Sequence, residues 1–536
     1  MGDWLARSGS GHVFSALKKT LVISKPQQPL ISLILLIGLL LVGLGRLALA
    51  DMRLPAIFSD HMVLQAETPV TVWGWASPAE KVSVSIAGQT QATNANAAGE
   101  WRVTLAPMAM KNIATTMTVT GSNALTVADV LVGEVWLGSG QSNMELPVKK
   151  ANDFAREKAI ASLPEIRMFT IKKSASTNQL ADVTGSWEIC NSNTVGNFSA
   201  TLYFFGRELH QKLHQPVGLI HSSWGGTPIQ AWIPLDALKA SPNYETLMER
   251  KRLEVAAWPE REQQILANIR AWEAEAAKGT NQNMRMKPGN PGRPDSIQYQ
   301  PARLYNGMID PLTDYKIRGV LWYQGEANAR EGATGAAFYT DLQTRLIAGW
   351  RLAWGEPDLP FLFVQLPNYD DAIDPTKVSW AYFREGQSRT LAIPHTGMAV
   401  TVDIGEPGDI HPKSKQEVGR RLALLALSDA YKINVPSRSP EYSQILIKGD
   451  EAQLTFNHAE GGLVARGKSI KGFAIAGTDR KWYPATVRIE RDHVSVSSPQ
   501  VAAPVAVRYG WADNPECNLY NRDGLPLAPF RTDAWN

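Results

Sequence analysis

The sequence predicts an α/β fold, a parallel sheet with helices on both faces in a three-layer sandwich, flanked at each end by β-sandwich-like regions. Three observations predict it. From residue 131 to about 435, apolar runs of strand length alternate with helical patterns, as parallel strands joined by crossover helices do. On either side, over 51–130 and 436–536, short stretches alternate apolar and polar residues between Gly, Asn and Pro, the pattern of half-buried strands. The 536-residue length and the balance of 44% apolar to 20% charged residues suit several globular domains with a large core.

The elements follow in chain order. Residues 1–50 read as a signal peptide. Lys18, Lys19 and Lys25 precede an uncharged run from Leu30 to Gly45, and Ala48-Leu49-Ala50 offers an A-x-A cleavage site. The run is shorter than the ~20 residues of a spanning helix, so cleavage after Ala50 is expected and an uncleaved anchor is the alternative. The expected location is periplasmic or secreted, with no membrane association after cleavage. This segment carries five Lys or Arg and one Asp, a net +4; removing it from the whole chain's +3 leaves about −1. Such a balance points to no nucleic-acid partner. Residues 51–130 contain "VTVWGWA", "KVSVSIAG", "EWRVTLAP" and "TTMTVTG", each alternating with period two.

The central region 131–435 supplies strands in "DVLVGEVWLGSG", "PVGLIHSSWGG", "YKIRGVLWYQGE", "PFLFVQLP" and "GMAVTVDIG". Helical patterns lie between them in "FSATLYFFGRELHQKL", "FYTDLQTRLIAGWRLAWG" and "SKQEVGRRLALLALSDAYK". An insertion over 237–300 reads as a solvated helical hairpin, with a lid or a partner-binding arm as the functional alternative. The region 436–536 returns to β patterning. Cys190 and Cys517 are the only cysteines; export permits a disulfide, but the sequence does not place them together.

Polar clusters stand where these strands end: "GSGQSN", "SSWGGT", "QGEAN" and, after the last strand, "DIGEPGDIHP". In open parallel sheets ligands bind beyond the carboxyl ends of strands. One at a time, these groups are ordinary turn and cap residues. Together they hold what acyl transfer needs. Ser142 is the candidate nucleophile and His411 the candidate base, which must approach within about 3 Å. Asp409 is the nearest carboxylate in sequence to orient the imidazole. Backbone N–H groups and an amide are the expected donors to an oxyanion. No G-x-S-x-G elbow surrounds Ser142, which disfavours the α/β-hydrolase version of this chemistry.

The four clusters resemble the blocks of the SGNH hydrolase superfamily, in particular its sialate O-acetylesterase branch. Gly140-Gln141-Ser142-Asn143-Met144 matches the nucleophile block, "SSWGGTPIQAW" the second, Gly325-Glu326-Ala327-Asn328 the third and "DIHP" the last. The resemblance extends through "LYNGMIDPL" to the C-terminal "GLPLAPFRTD". It implies a flavodoxin-like core and an oxyanion hole of the Ser142 N–H, Gly225 or Gly226 and Asn328. In the wider superfamily the acid lies three residues before the histidine. Here that residue is Gly408, so Asp409 stands as the acid, with Asp403 and Glu406 as alternates or a pair without a strong acid.

The resemblance also implies a substrate: an O-acetylated sugar, either 9-O-acetyl sialic acid or a plant hemicellulose such as xylan or xyloglucan. Gln141, Trp224, Trp322, Gln324 and Glu326 are the candidate sugar contacts, with Trp232 a further stacking candidate. Each has a plainer reading as core or loop support. No metal or organic cofactor is expected, since no Cys/His cluster or phosphate-binding Gly loop is present. The competing classes are a non-catalytic carbohydrate-binding protein and a lipase or thioesterase.

Overall fold

The computed structural model describes residues 51–278, 292–330, 332–372, 374–490 and 493–535. The expected signal peptide, 1–50, lies outside them. The central sheet is built from β1 (Ala124–Gly140), β2 (Leu163–Thr170), β3 (Trp187–Cys190), β4 (Val217–Ser223), β5 (Gly319–Tyr323), β6 (Phe361–Val364) and β7 (Thr396–Ala399). The principal helices are α1 (Ala200–Leu213), α2 (Tyr244–Ala277), α3 (Gly332–Trp354), α4 (Ser379–Arg389) and α5 (Lys415–Asp429).

Across the sheet the order is β7-β6-β5-β1-β4-β2-β3. All neighbours are parallel except β2 and β3. Setting aside that edge pair, the strands run 2-1-3-4-5 in chain order. The order reverses between β1 and β5, where doubly wound sheets bind ligands.

Both faces are covered, and successive residues of each strand show how. Val320 and Trp322 of β5 and Phe361 and Phe363 of β6 share a core with Leu346 and Trp350 of α3 and Trp380 of α4. The residues between them, Leu321, Tyr323, Leu362 and Val364, join Leu202 and Phe205 of α1 and Leu422 of α5 on the other face. Strands enclosed on both sides must be apolar at every position, which is why these runs do not alternate.

Strand β1 continues well outside the central sheet. Its first half pairs antiparallel with Lys111–Thr120, which in turn pairs with Lys81–Ile86. The boundary expected near residue 130 falls inside this strand, and the N-terminal core residues belong to the same cluster as one face of the sheet. At the other end, two four-stranded antiparallel sheets share a core that includes Leu454, Ile475, Val496, Val507 and Phe530.

The insertion differs from the expected hairpin. Where a reversal was expected, the described part of the insertion holds one continuous 34-residue helix, α2, with Pro259 inside it. Proline removes one helical hydrogen bond, but helix-favouring Glu, Arg, Gln, Leu and Ala flank it and no Gly lies in the helix to supply a reversal. Cys190 and Cys517 are both free thiols, and burial pushes each up to about 12. Among the described residues no helix is long and apolar enough to cross a membrane.

Candidate active site

Strand β1 ends where it touches β5. At Gly140, with φ +135°, a Cβ would lie 2.1 Å from the Tyr323 carbonyl oxygen, so only glycine fits. Gln141 donates its backbone N–H to that oxygen (3.0 Å). The chain then turns into the single helical turn Ser142–Glu145. This places Ser142, half-buried, at the rim of the sheet beside the point where strand order reverses.

His411 comes from the loop between β7 and α5. Its Nε2 stands 2.8 Å from Ser142 Oγ. Burial, reinforced by the cations Lys415 and Lys150 and opposed by Asp409, holds the imidazole below its ordinary value. A neutral imidazole at this distance accepts a proton from the hydroxyl. Asp409 Oδ1 lies 3.6 Å from Nδ1, an ion-pair contact longer than a hydrogen bond. The same oxygen accepts the backbone N–H of His411 at 2.9 Å.

The alternate acids are engaged elsewhere. Asp403 forms a buried two-pronged pair with Arg421 (2.7 and 2.8 Å). Glu406 accepts the backbone N–H of Lys413 (2.9 Å).

The second block approaches the serine closely: a Cβ on Gly225 would lie 3.3 Å from that of Ser142. Yet the Gly225 N–H, an expected oxyanion donor, donates to Glu145 Oε2 (2.7 Å). Glu145 in turn pairs with Lys173 (2.5 Å). The carboxylate's charge makes it the stronger acceptor for this N–H, and Gly225 is corrected to an anchor of the turn. Gly226, with φ +74° and open space beside its Cα, lines a cleft. Asn328 lines it too. Its Oδ1 accepts from the Ile229 N–H (3.1 Å) and Gln324 Nε2 (2.8 Å). The amide Nδ2 donates to Gln230 Oε1 at 3.3 Å, leaving a second hydrogen on that nitrogen.

Four of the five expected sugar contacts are buried and committed to other groups. Trp322 has no exposed surface and packs edge-on against Trp232 and Trp350. Trp232 is equally enclosed and donates to Thr227 Oγ1. Gln324 is tied to Gln141, Thr227, Asn328 and Tyr339. Gln141 Oε1 also accepts from the Gly325 and Ala327 N–H groups, so both glutamines brace the third block. Glu326 is buried on Asn143. Of the five, Trp224 alone keeps partial exposure, with Lys173 Nζ 5.6 Å from its ring centre.

The cleft has a volume of about 780 Å³ and runs from Gly226 and Asn328 to α2, which forms one wall. Among the described residues Arg250, Lys251 and Arg261 of α2 and Arg330 line it, with Glu254 the single carboxylate. Lys251 pairs with Glu254 (3.3 Å) and Arg330 with Asp371 (2.8 Å). Sequence reasoning missed Glu145, Lys173 and these cations. Glu145 was within reach, because a residue three after Ser142 on a helical turn shares its side.

A serine hydroxyl 2.8 Å from an imidazole at the switch point of a parallel sheet is an arrangement able to carry ester hydrolysis. The comparisons give the family. The model of the carbohydrate esterase, sialic acid-specific acetylesterase family matches residues 132–267 and 279–428, and the chain belongs to that family. Sialate O-acetylesterase of rat is 30% identical over 92% of this chain and 97% of its own length. The mouse protein is 30% identical over 94% and 97%. A crystal structure of a carbohydrate acetylesterase from Xanthomonas citri is 38% identical, covers 90% of this chain and all of its own, and superposes with a TM-score of 0.78.

Proposed function

We propose that this protein removes O-acetyl groups from sugars through an acetyl-enzyme on Ser142. The observation that carries the reading is the 2.8 Å contact between Ser142 Oγ and His411 Nε2. Ser142 Oγ attacks the acetyl carbonyl as His411 takes its proton. The tetrahedral oxyanion is met by the Ser142 and Gly226 N–H groups and the Asn328 amide. His411 returns the proton to the departing sugar oxygen. It then deprotonates a water that releases acetate and restores the serine.

The cleft supports a carboxylate-bearing sugar of the sialate kind. The described lining carries four cations and one carboxylate, and although Lys251 is paired with Glu254 and Arg330 with Asp371, the remaining basic character suits an anionic ligand, in keeping with the family's description and the names of the curated relatives. A neutral hemicellulose makes no use of these charges and is not favoured. The charged lining also counts against a long acyl chain. An acetate-release screen decides: kcat/KM should be higher on acetylated sialoside than on acetylated xylan or xyloglucan, and Arg261→Ala should raise KM for the sialoside alone. Preference for xylan would defeat the sialate reading. We further propose export, with cleavage after Ala50. N-terminal sequencing of the mature protein should begin at Asp51, and a retained segment 1–50 would refute it.

A further inference from the structure

His411, which like Ser142 is not itself a lining residue of the cleft, is held through its backbone neighbours by buried side chains. Asn143, next to the nucleophile, donates one amide N–H to the Ile410 carbonyl (2.9 Å) and one to the Glu326 carboxylate. Lys415 Nζ donates to the Pro412 carbonyl (2.8 Å) and to Asn143 Oδ1 (2.7 Å). The carbonyls on both sides of His411 are therefore tied to Asn143, one directly and one through Lys415. Asn143 and Lys415 have no exposed surface, and Glu326 almost none.

Lys415 is an expensive residue to keep here. It is the first residue of α5, where the helix dipole disfavours a cation, and it is cut off from water. Burial lowers it to about 7; Glu326, Asp409 and Glu406 face it and favour its charge. The Tyr323 ring lies 5.1 Å from Nζ. Meanwhile Asp409 meets the imidazole only through a long 3.6 Å contact, a loose hold on the ring.

We propose that Lys415 and Asn143 are the positioning residues for the base: they fix the His411 backbone at the distance from Ser142 that proton transfer needs. An orienting carboxylate does this where it is hydrogen-bonded to the imidazole; here the clamp acts on the flanking carbonyls. The inference rests on the reading of Ser142 and His411 as nucleophile and base. It adds a second effect, because the Lys415 charge, with that of Lys150 and against that of Asp409, disfavours protonated His411.

The test uses the full chain, a short aryl acetate, and the variants Lys415→Met, Asn143→Ala and the double. Each single variant should lower kcat per folded molecule by about 10²-fold, the scale of a 1 Å misplacement, with KM within about threefold. The double variant should be little worse, since both act through one clamp. Lys415→Met should also move the acid limb of kcat/KM to higher pH. A kcat within about threefold of wild type in either folded variant, additive losses, or an unmoved acid limb would overturn the proposal. Should Lys415→Met fail to fold, Asn143→Ala decides by its kcat. If Ser142→Ala stays active, the underlying reading fails; if Ser142→Ala is dead and the clamp variants are normal, only this inference fails.

Discussion

Replacing Asn328 by Asp keeps the shape of the side chain and reverses what it offers the cleft. Asn328 Oδ1 accepts two hydrogen bonds, from the Ile229 N–H and Gln324, and a carboxylate oxygen serves both donors equally. The long bond from Nδ2 to Gln230 Oε1 (3.3 Å) is lost unless the Gln230 amide turns its NH2 to the new carboxylate; with the two accepted bonds kept, the loop should hold, with a melting temperature within a few degrees of wild type. On the other side a donor becomes a negatively charged acceptor. Losing one oxyanion donor costs roughly 10²–10³ in kcat, or about 2.7–4 kcal/mol. A like charge about 4 Å from the oxyanion adds a few kcal/mol more at an effective dielectric near 20. Asn328→Asp should therefore reduce kcat by at least about 10³-fold, with KM little changed, because the oxyanion exists mainly in the transition state. Asn328→Ala should instead lose both functions, lowering melting temperature as well as kcat. The assay is initial rates on an aryl acetate at pH 8, where the new carboxyl is ionised, beside thermal melts of the same preparation. A folded Asn328→Asp protein with kcat within about tenfold of wild type would refute the oxyanion role.

Two further outcomes separate the carboxylates and the base. Asp409→Asn should cost less than His411→Ala, because 3.6 Å is beyond a hydrogen bond; equal losses would show that Asp409 bonds the imidazole during turnover. Asp403→Asn should lower stability, since it weakens a buried pair with Arg421, yet leave kcat per folded molecule near normal; a large kcat loss in folded protein would restore Asp403 as the acid. Burial keeps His411 below its ordinary 6.5, so the neutral base persists as pH falls past that value. The pH profile of kcat/KM should be flat above pH 6.5 and decline only as pH drops through the lowered imidazole value; an acid limb centred above pH 7 contradicts this.

Local patterns carried most of the fold. The runs that became β5 and β6 are apolar at every position because helices cover both faces, and that signal is visible in sequence. Pro259 misled, because a proline reads as a break while helix-favouring Glu, Arg, Gln and Ala on either side, with Trp258 buried beside it, carry α2 through it. That Ser142 and His411 would meet was legible from polar residues where strands end. Their support was not. Gln324 reads from sequence either as a sugar contact or as loop support, and its partners Gln141, Thr227 and Tyr339, on other elements of the fold, decide for support. Trp322 lay beside the right motif and faces the core, since one step along a strand changes the face. Lys415, four residues after His411, gives no sequence sign that it is buried.

That Ser142 is the nucleophile is tested most directly by trapping it. The protein should be inactivated with a fluorophosphonate, digested, and the adduct located by mass spectrometry. One adduct on Ser142 should form in step with the loss of activity, and Ser142→Ala should take no label and lose several orders of magnitude in turnover. An adduct elsewhere that tracks inactivation, or a Ser142→Ala protein keeping more than about a tenth of wild-type activity, would contradict the account.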